Sequence, residues 1–131
     1  MKKDEITIFD WVDTFPDFCQ VLSISSTGQV KTTENQRQKV DYIEGLYLNE
    51  GILRHNGFIE QTTIDSGTDF ILDDLKHGVE FLIYREGNKG FRLRIQRGPE
   101  ANLSIKIQSV HELQHAMRLM GLNEMANTFK L

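Results

Sequence analysis

The strongest constraint on this chain is a two-residue rhythm in its second half. Phe91, Leu93 and Ile95 alternate with Arg92, Arg94 and Gln96. Neighbouring side chains on a strand point to opposite faces, so this spacing predicts a strand with one buried and one wet face. Val79 to Arg85 precedes it across Glu86-Gly87-Asn88-Lys89-Gly90, and the two runs form an antiparallel hairpin. Gly98-Pro99 breaks the run. Leu103, Ile105 and Ile107 then alternate with Ser104, Lys106 and Gln108, which predicts a third strand of the same sheet. A sheet with one apolar face needs a cover, and a helix over about Val110 to Met120, stopped by Gly121, supplies it.

The first third reads as shorter strands. Ile6 to Val12 is apolar and β-prone. Phe18 to Ile24 and Gln29 to Thr33 flank Ser25-Ser26-Thr27-Gly28, a hairpin signal. Residues 34 to 39 are wholly polar and read as a loop, and Val40 to Leu46 as a further strand. Asn49 is positioned to cap a helix of about two turns that ends at Asn56-Gly57. Phe58 to Ile64 resumes an extended pattern, and Asp65, Ser66, Gly67 and Asp69 mark a turn. The expected fold is α+β: one curved antiparallel sheet, with partial closure into a small barrel as a variant, a short mid-chain helix and a C-terminal helix packed on the sheet. At 131 residues, a single domain over 1–131 is the economical organisation.

Composition narrows function mainly by exclusion. The net charge of −4 gives no global attraction for nucleic acid. Cys19 is the only cysteine, so an internal disulfide cannot form, and it reads as buried filler among Phe18, Val21 and Leu22. Asp10 and Asp13 interrupt the apolar stretch near the start, so no signal segment is expected there. No run nears the ~18 apolar residues of a membrane span. A cytoplasmic protein without membrane contact is the expectation. Phosphate-binding, redox and hydrolase signatures (Walker loop, G-x-G-x-x-G, C-x-x-C, G-x-S-x-G) do not occur.

One catalytic string does occur. His111-Glu112-Leu113-Gln114-His115 is a literal H-E-x-x-H, in which two imidazoles four apart on a helix can hold zinc beside a general base. Three considerations oppose that chemistry. Ser109 and Glu112 have the spacing of a capping box, so Glu112 already has a structural role. At 100° per residue, Val110, Leu113, Ala116, Met117 and Met120 form one sector, leaving His111, His115 and Arg118 facing solvent. The longer zinc pattern fails, with Arg118 and Gly121 at its glycine and final histidine positions. No catalysis, cofactor or built metal site is therefore expected, and His111 and His115 rank only as adventitious metal ligands.

Two segments carry a resemblance. Leu46-Tyr47-Leu48-Asn49-Glu50-Gly51-Ile52-Leu53-Arg54-His55-Asn56-Gly57-Phe58 resembles I-x-L-T-E-E-x-L-x-x-x-G-F, and Ile105-Lys106-Ile107-Gln108-Ser109-Val110-His111-Glu112-Leu113-Gln114-His115-Ala116-Met117 resembles I-x-Y-V-H-E-L-Q-N-x-Y. Both are similar to segments of a family of small uncharacterised proteins common in Bacteroidetes and their phages and mobile elements. The chain departs from that pattern at Asn49 (Thr), Ser109 (Tyr) and His115 (Asn). The His115 departure completes the zinc string by replacing Asn. The resemblance implies an architecture and a genomic setting, not a reaction.

The hairpin is basic: Arg85, Lys89, Arg92, Arg94 and Arg97 against Glu86 alone. These five are the candidate binding residues. A ribbon of this kind can meet phosphates, but a solvated face or pairing with Asp69, Asp73, Asp74 and Glu80 is the favoured explanation, because no aromatic residue interleaves with the arginines on that face. Stacking bases would require Tyr84 or Phe91 to be exposed. Phe9, Trp11, Phe15 and Phe18 read as core aromatics. The functional expectation is a binding or interaction module of phage or mobile-element origin with a protein partner. Nucleic-acid binding through residues 85–97 is the alternative, zinc peptidase chemistry comes third, and homodimerisation through an exposed strand is compatible with the pattern.

Overall fold

The structure, a computed structural model, describes residues 1–2, 5–14, 18–33, 37–40, 43–63, 67–74, 76–86, 90–99 and 101–131. In chain order its elements are β1 (Trp11–Asp13), β2 (Phe18–Ile24), β3 (Gln29–Thr32), β4 (Arg37–Lys39), β5 (Glu44–Gly45), α1 (Glu50–His55), β6 (Ile59–Thr63), β7 (Gly67–Asp74), β8 (Val79–Arg85), β9 (Phe91–Arg97), β10 (Ala101–Ile107), α2 (Val110–Leu119) and α3 (Asn123–Asn127). The fold is α+β. Its strands divide between two antiparallel sheets, ordered β4-β3-β2-β1-β5 and β10-β9-β8-β7-β6, rather than forming the one sheet expected. Among the described residues neither sheet closes into a barrel, since no pairing joins the first and last strand of either order. The chain groups into two compact units: Met1–Tyr47 with Ser109–Thr128, and Leu48–Gln108 with Phe129–Leu131.

In the first unit, alternation places Cys19 and Val21 of β2, Val12 of β1 and Val30 of β3 fully inside. Val12, Val21 and Val30 join Ile6, Val40 and Ile43 in one core cluster. The β2–β3 hairpin turns at Ser25–Gly28 as its sequence requires. Gly28 takes φ +85, and the Gln29 N–H donates to Ser25 Oγ at 2.9 Å. Helix α2 contacts β1 and α3 of this same unit. It ends in a Schellman motif: Gly121 is left-handed at φ 78, and the Leu122 N–H donates to the Met117 carbonyl at 2.9 Å.

The second unit contains the alternating strands. Phe81 and Ile83 of β8 and Leu93 and Ile95 of β9 are buried to 1 % exposure or less, and they pair Phe81↔Ile95 and Ile83↔Leu93. Asn49 caps α1 as expected, with Ile52 N–H donating to Asn49 Oδ1 at 2.9 Å. Gly57 at φ 88 and the Phe58 N–H to Leu53 carbonyl bond of 3.1 Å end α1 in a second Schellman motif. The Phe58 ring then meets Phe81 edge-on at 6.1 Å, which ties the helix exit to the buried sheet face.

Several local expectations are corrected. Residues 37–39, read as loop, form β4, because backbone pairing with β3 accepts polar side chains on an outer strand. The strand expected over Ile6 to Val12 is confined to Trp11–Asp13, since Phe9 turns the chain at φ 70. Among the described residues of Val40 to Leu46, the strand is Glu44–Gly45, and residues 41–42 lie outside the described residues. The acidic stretch read as a turn is strand from Gly67 onward, whereas Asp65 and Ser66 lie outside the described residues. The C-terminal helix belongs to the unit of the first sheet, not to the sheet of the basic hairpin. Among the described residues, no helix is long and apolar enough to cross a membrane.

Candidate functional site

Helix α2 contradicts the solvent-facing arrangement expected for its histidines. The side chains at 115 and 118 meet a counter-charge supplied from far away in the sequence. Asp10 is fully buried. Its Oδ2 lies 2.6 Å from His115 Nε2, and its Oδ1 accepts from Arg118 Nη1 at 2.6 Å. The Thr7 N–H also donates to Oδ2, at 2.8 Å. Arg118 Nη2 reaches the Ile8 carbonyl and Asn127 Oδ1, each at 3.3 Å. A carboxylate removed from water needs such saturation, because its desolvation costs several kcal/mol otherwise.

His111 occupies a different niche. Its ring sits 5.6 Å from that of His115, edge to face. A Cβ on residue 45 would lie 2.8 Å from His111 Cε1, so Gly45 leaves the space that the imidazole fills. Among the described residues, His111 Nδ1 is buried without a hydrogen-bond partner. Burial pushes the His111 pKa below the ordinary histidine value; nearby Asp10 opposes the shift and His115 adds to it. Glu112 is engaged as its spacing predicts: the Ser109 N–H donates to Glu112 Oε1 at 3.1 Å, and Ser109 Oγ donates to the same oxygen at 2.7 Å.

Gln114 completes this polar interior and was missed by helical periodicity. It is fully buried. Its Oε1 accepts from the Trp11 N–H at 3.0 Å, and its Nε2 donates to the carbonyls of Phe9 and Ala126, both at 2.9 Å. One side-chain amide thereby satisfies backbone groups beside β1 and at the end of α3. The N-terminal aromatics depart from the core role expected of them. Phe9 is 40 % and Phe18 53 % exposed, and Trp11 is half-buried. Phe15 lies outside the described residues.

The basic hairpin forms part of the outer face of the second sheet. Cross-strand register aligns Ile59, Ile71, Leu82, Arg94 and Ser104 in one row, and Gln61, Asp69, Tyr84, Arg92 and Lys106 in the next. Ile59 is 72 % exposed, and Ile71 and Leu82 are half-buried. The Arg94 guanidinium sits over the Tyr84 ring at 5.8 Å. Arg92 donates to both oxygens of Glu86, at 2.7 and 3.2 Å, and Lys106 lies 3.5 Å from it. The Arg92 contact holds the Glu86 carboxyl below the usual carboxylate range. Arg85 stacks on buried Phe91 at 4.9 Å and lies 3.6 Å from Glu50. Arg97 is exposed at the end of β9, and Lys89 lies outside the described residues. Beside Arg94, an open depression is lined by Glu80, Leu82, Gln96, Asn102 and Ser104.

The structure thus brings Tyr84, Arg92 and Arg94 together on one face and directs Arg85 to another partner. It joins His115 and Arg118 through Asp10, a residue whose signal in the sequence was an acid within an apolar run. Among the described residues, no group of three or more His, Cys, Asp or Glu side chains is arranged to hold a metal ion. Comparison with family models, curated proteins and solved structures finds no match for this chain.

Proposed function

We propose that this chain is a protein-binding module without chemistry of its own, and that it binds through the outer face of the second sheet. The observation that carries this reading is the row Ile59–Ile71–Leu82, apolar side chains across three strands of a face that carries Arg94 over Tyr84. Apolar rows rimmed by charge, with tyrosine and arginine at their margin, have the composition of protein contact surfaces. Asp69, Asp73 and Glu80 share that face with Arg92, Arg94 and Lys106. Mixed charge of this kind suits a protein partner better than a polyanion. A cytoplasmic setting, and an origin in a phage or mobile element that the family resemblance implies, belong to the same proposal.

Binding of single-stranded nucleic acid is the second reading, because Tyr84 shares a face with two arginines and can stack a base. Zinc chemistry comes third. The rings do converge beside a buried carboxylate, but His115 Nε2 and both Asp10 oxygens are already engaged. A cation there would displace Arg118, and Glu112 would have to leave its cap.

The test is photo-cross-linking in native cells from a probe at position 61, comparing the wild-type protein with Ile59→Lys plus Leu82→Lys. A defined protein adduct that the double variant loses supports the reading. Adducts unaffected by the variant, or only RNA or DNA adducts lost with Arg92→Ala plus Arg94→Ala, overturn it.

A further inference from the structure

The two borders of the second sheet are built differently. On the buried side, the row Ile105–Leu93–Ile83–Phe70 ends at β6 on Glu60, an exposed charge. A charge at the border position of an otherwise apolar row deters further pairing. At β10 the same row ends on Ile105, and the next row, Leu72–Phe81–Ile95–Leu103, ends on Leu103. Leu93 and Ile95, their neighbours on β9, are 0 % and 1 % exposed, whereas Leu103 and Ile105 are only half-buried. The apolar rows therefore reach this border without a charge to stop them. β10 is also a full seven residues long, against five for β6. Border strands direct alternate N–H and C=O groups outward, so β10 presents a pairing template.

We propose that β10 pairs antiparallel with β10 of a second copy of this chain, centred on Ser104, to give a continuous ten-stranded sheet. The strand is self-complementary in that register. Leu103 faces Ile105 of the second copy and the reverse, Ala101 faces Ile107, and all seven residues find partners. Parity is conserved about a central residue, so apolar rows continue as apolar rows. The charges also permit it. Lys106, the one charge on β10, faces Asn102 of the second copy rather than its own counterpart. Arg94 pairs with Ser104, so the two copies of Arg94 stand three strand spacings apart, about 14 Å. That exceeds the Debye length of roughly 8 Å at physiological salt. This surface and partner are distinct from the outer face assigned above.

Sedimentation equilibrium across a wide concentration range, with Ser104→Cys and Leu103→Lys variants, tests the proposal. The native Cys19 is fully buried and leaves the readout to the introduced thiol. The expected result is a concentration-dependent dimer, rapid disulfide capture by Ser104→Cys, none by Glu60→Cys, and a folded monomer by circular dichroism for Leu103→Lys. A wild-type monomer at all concentrations overturns it. So does a dimer that Glu60→Cys captures in place of Ser104→Cys, or one that Leu103→Lys leaves intact. If Leu103→Lys does not fold, the two cysteine variants decide alone.

Discussion

The two compact units solve the problem of an interior by opposite means. The second is apolar: Phe81, Ile83, Leu93 and Ile95 fill it, and its charges remain on outer faces and borders. The first carries polar groups inside. Asp10, Gln114 and Thr32 are each fully buried, and Asp10 and Gln114 bridge segments more than a hundred residues apart in sequence. An apolar interior tolerates exchange among residues of similar volume, because the hydrophobic effect has no direction. A hydrogen-bonded interior fixes geometry more tightly, and it fails abruptly when one member is removed.

Substitutions in each unit can break this contrast. The largest loss is expected for Phe81→Ala, about 4 kcal/mol of the second unit's stability from lost burial and the remaining cavity, read by amide hydrogen exchange. Asp10→Ala is expected to cost the first unit about 3 kcal/mol, because it strands His115 and Arg118 without their carboxylate. Trp11, the only tryptophan, lies in that unit and reports its urea unfolding by fluorescence. A loss below ~1 kcal/mol would show that Asp10 is not the node of the interior. Gly45→Ala should cost about 2 kcal/mol, since the added methyl collides with the His111 ring; pairing it with His111→Ala should recover most of the loss. In the second unit, Asn49→Ala is expected to remove about 1 kcal/mol with the α1 cap.

The smallest effect sharpens the comparison through pH. Burial lowers the His111 pKa in the folded state, so the unfolded chain binds more protons on acidification. Its contribution to stability is complete above the unfolded value of about 6.5 and is lost as pH falls through the folded value. The Trp11 unfolding midpoint should fall between pH 7.5 and 5.5, and His111→Gln should reduce that fall. An unchanged pH response in the variant would remove His111 from the account.

The second unit was the more legible of the two in the sequence. Two-residue alternation located β9 and β10 with their buried faces, because those side chains answer to one local rule, and β8 was placed as the partner arm of the hairpin. The caps at Asn49 and Ser109 were legible for the same reason, as their partners lie three residues away. The polar cluster was not. A helical wheel ranks residues by polarity, and it assigned His111, His115 and Arg118 to water because Asp10 lies about a hundred residues away. Gln114 was hidden likewise: its amide serves backbone groups, which no side-chain pattern encodes. The division of strands into two sheets was illegible too, since alternation reveals which side of a strand is buried but not what covers it.

The Gly45 gap has a consequence for how the H-E-x-x-H string came to stand in this chain. Each of its three polar letters answers to a separate neighbour: an imidazole fills a hollow left by a missing methyl, a carboxyl closes the first turn of its own helix, and a second imidazole leans on an acid near the N-terminus. Each letter thus has a packing or hydrogen-bonding role of its own in the folded chain.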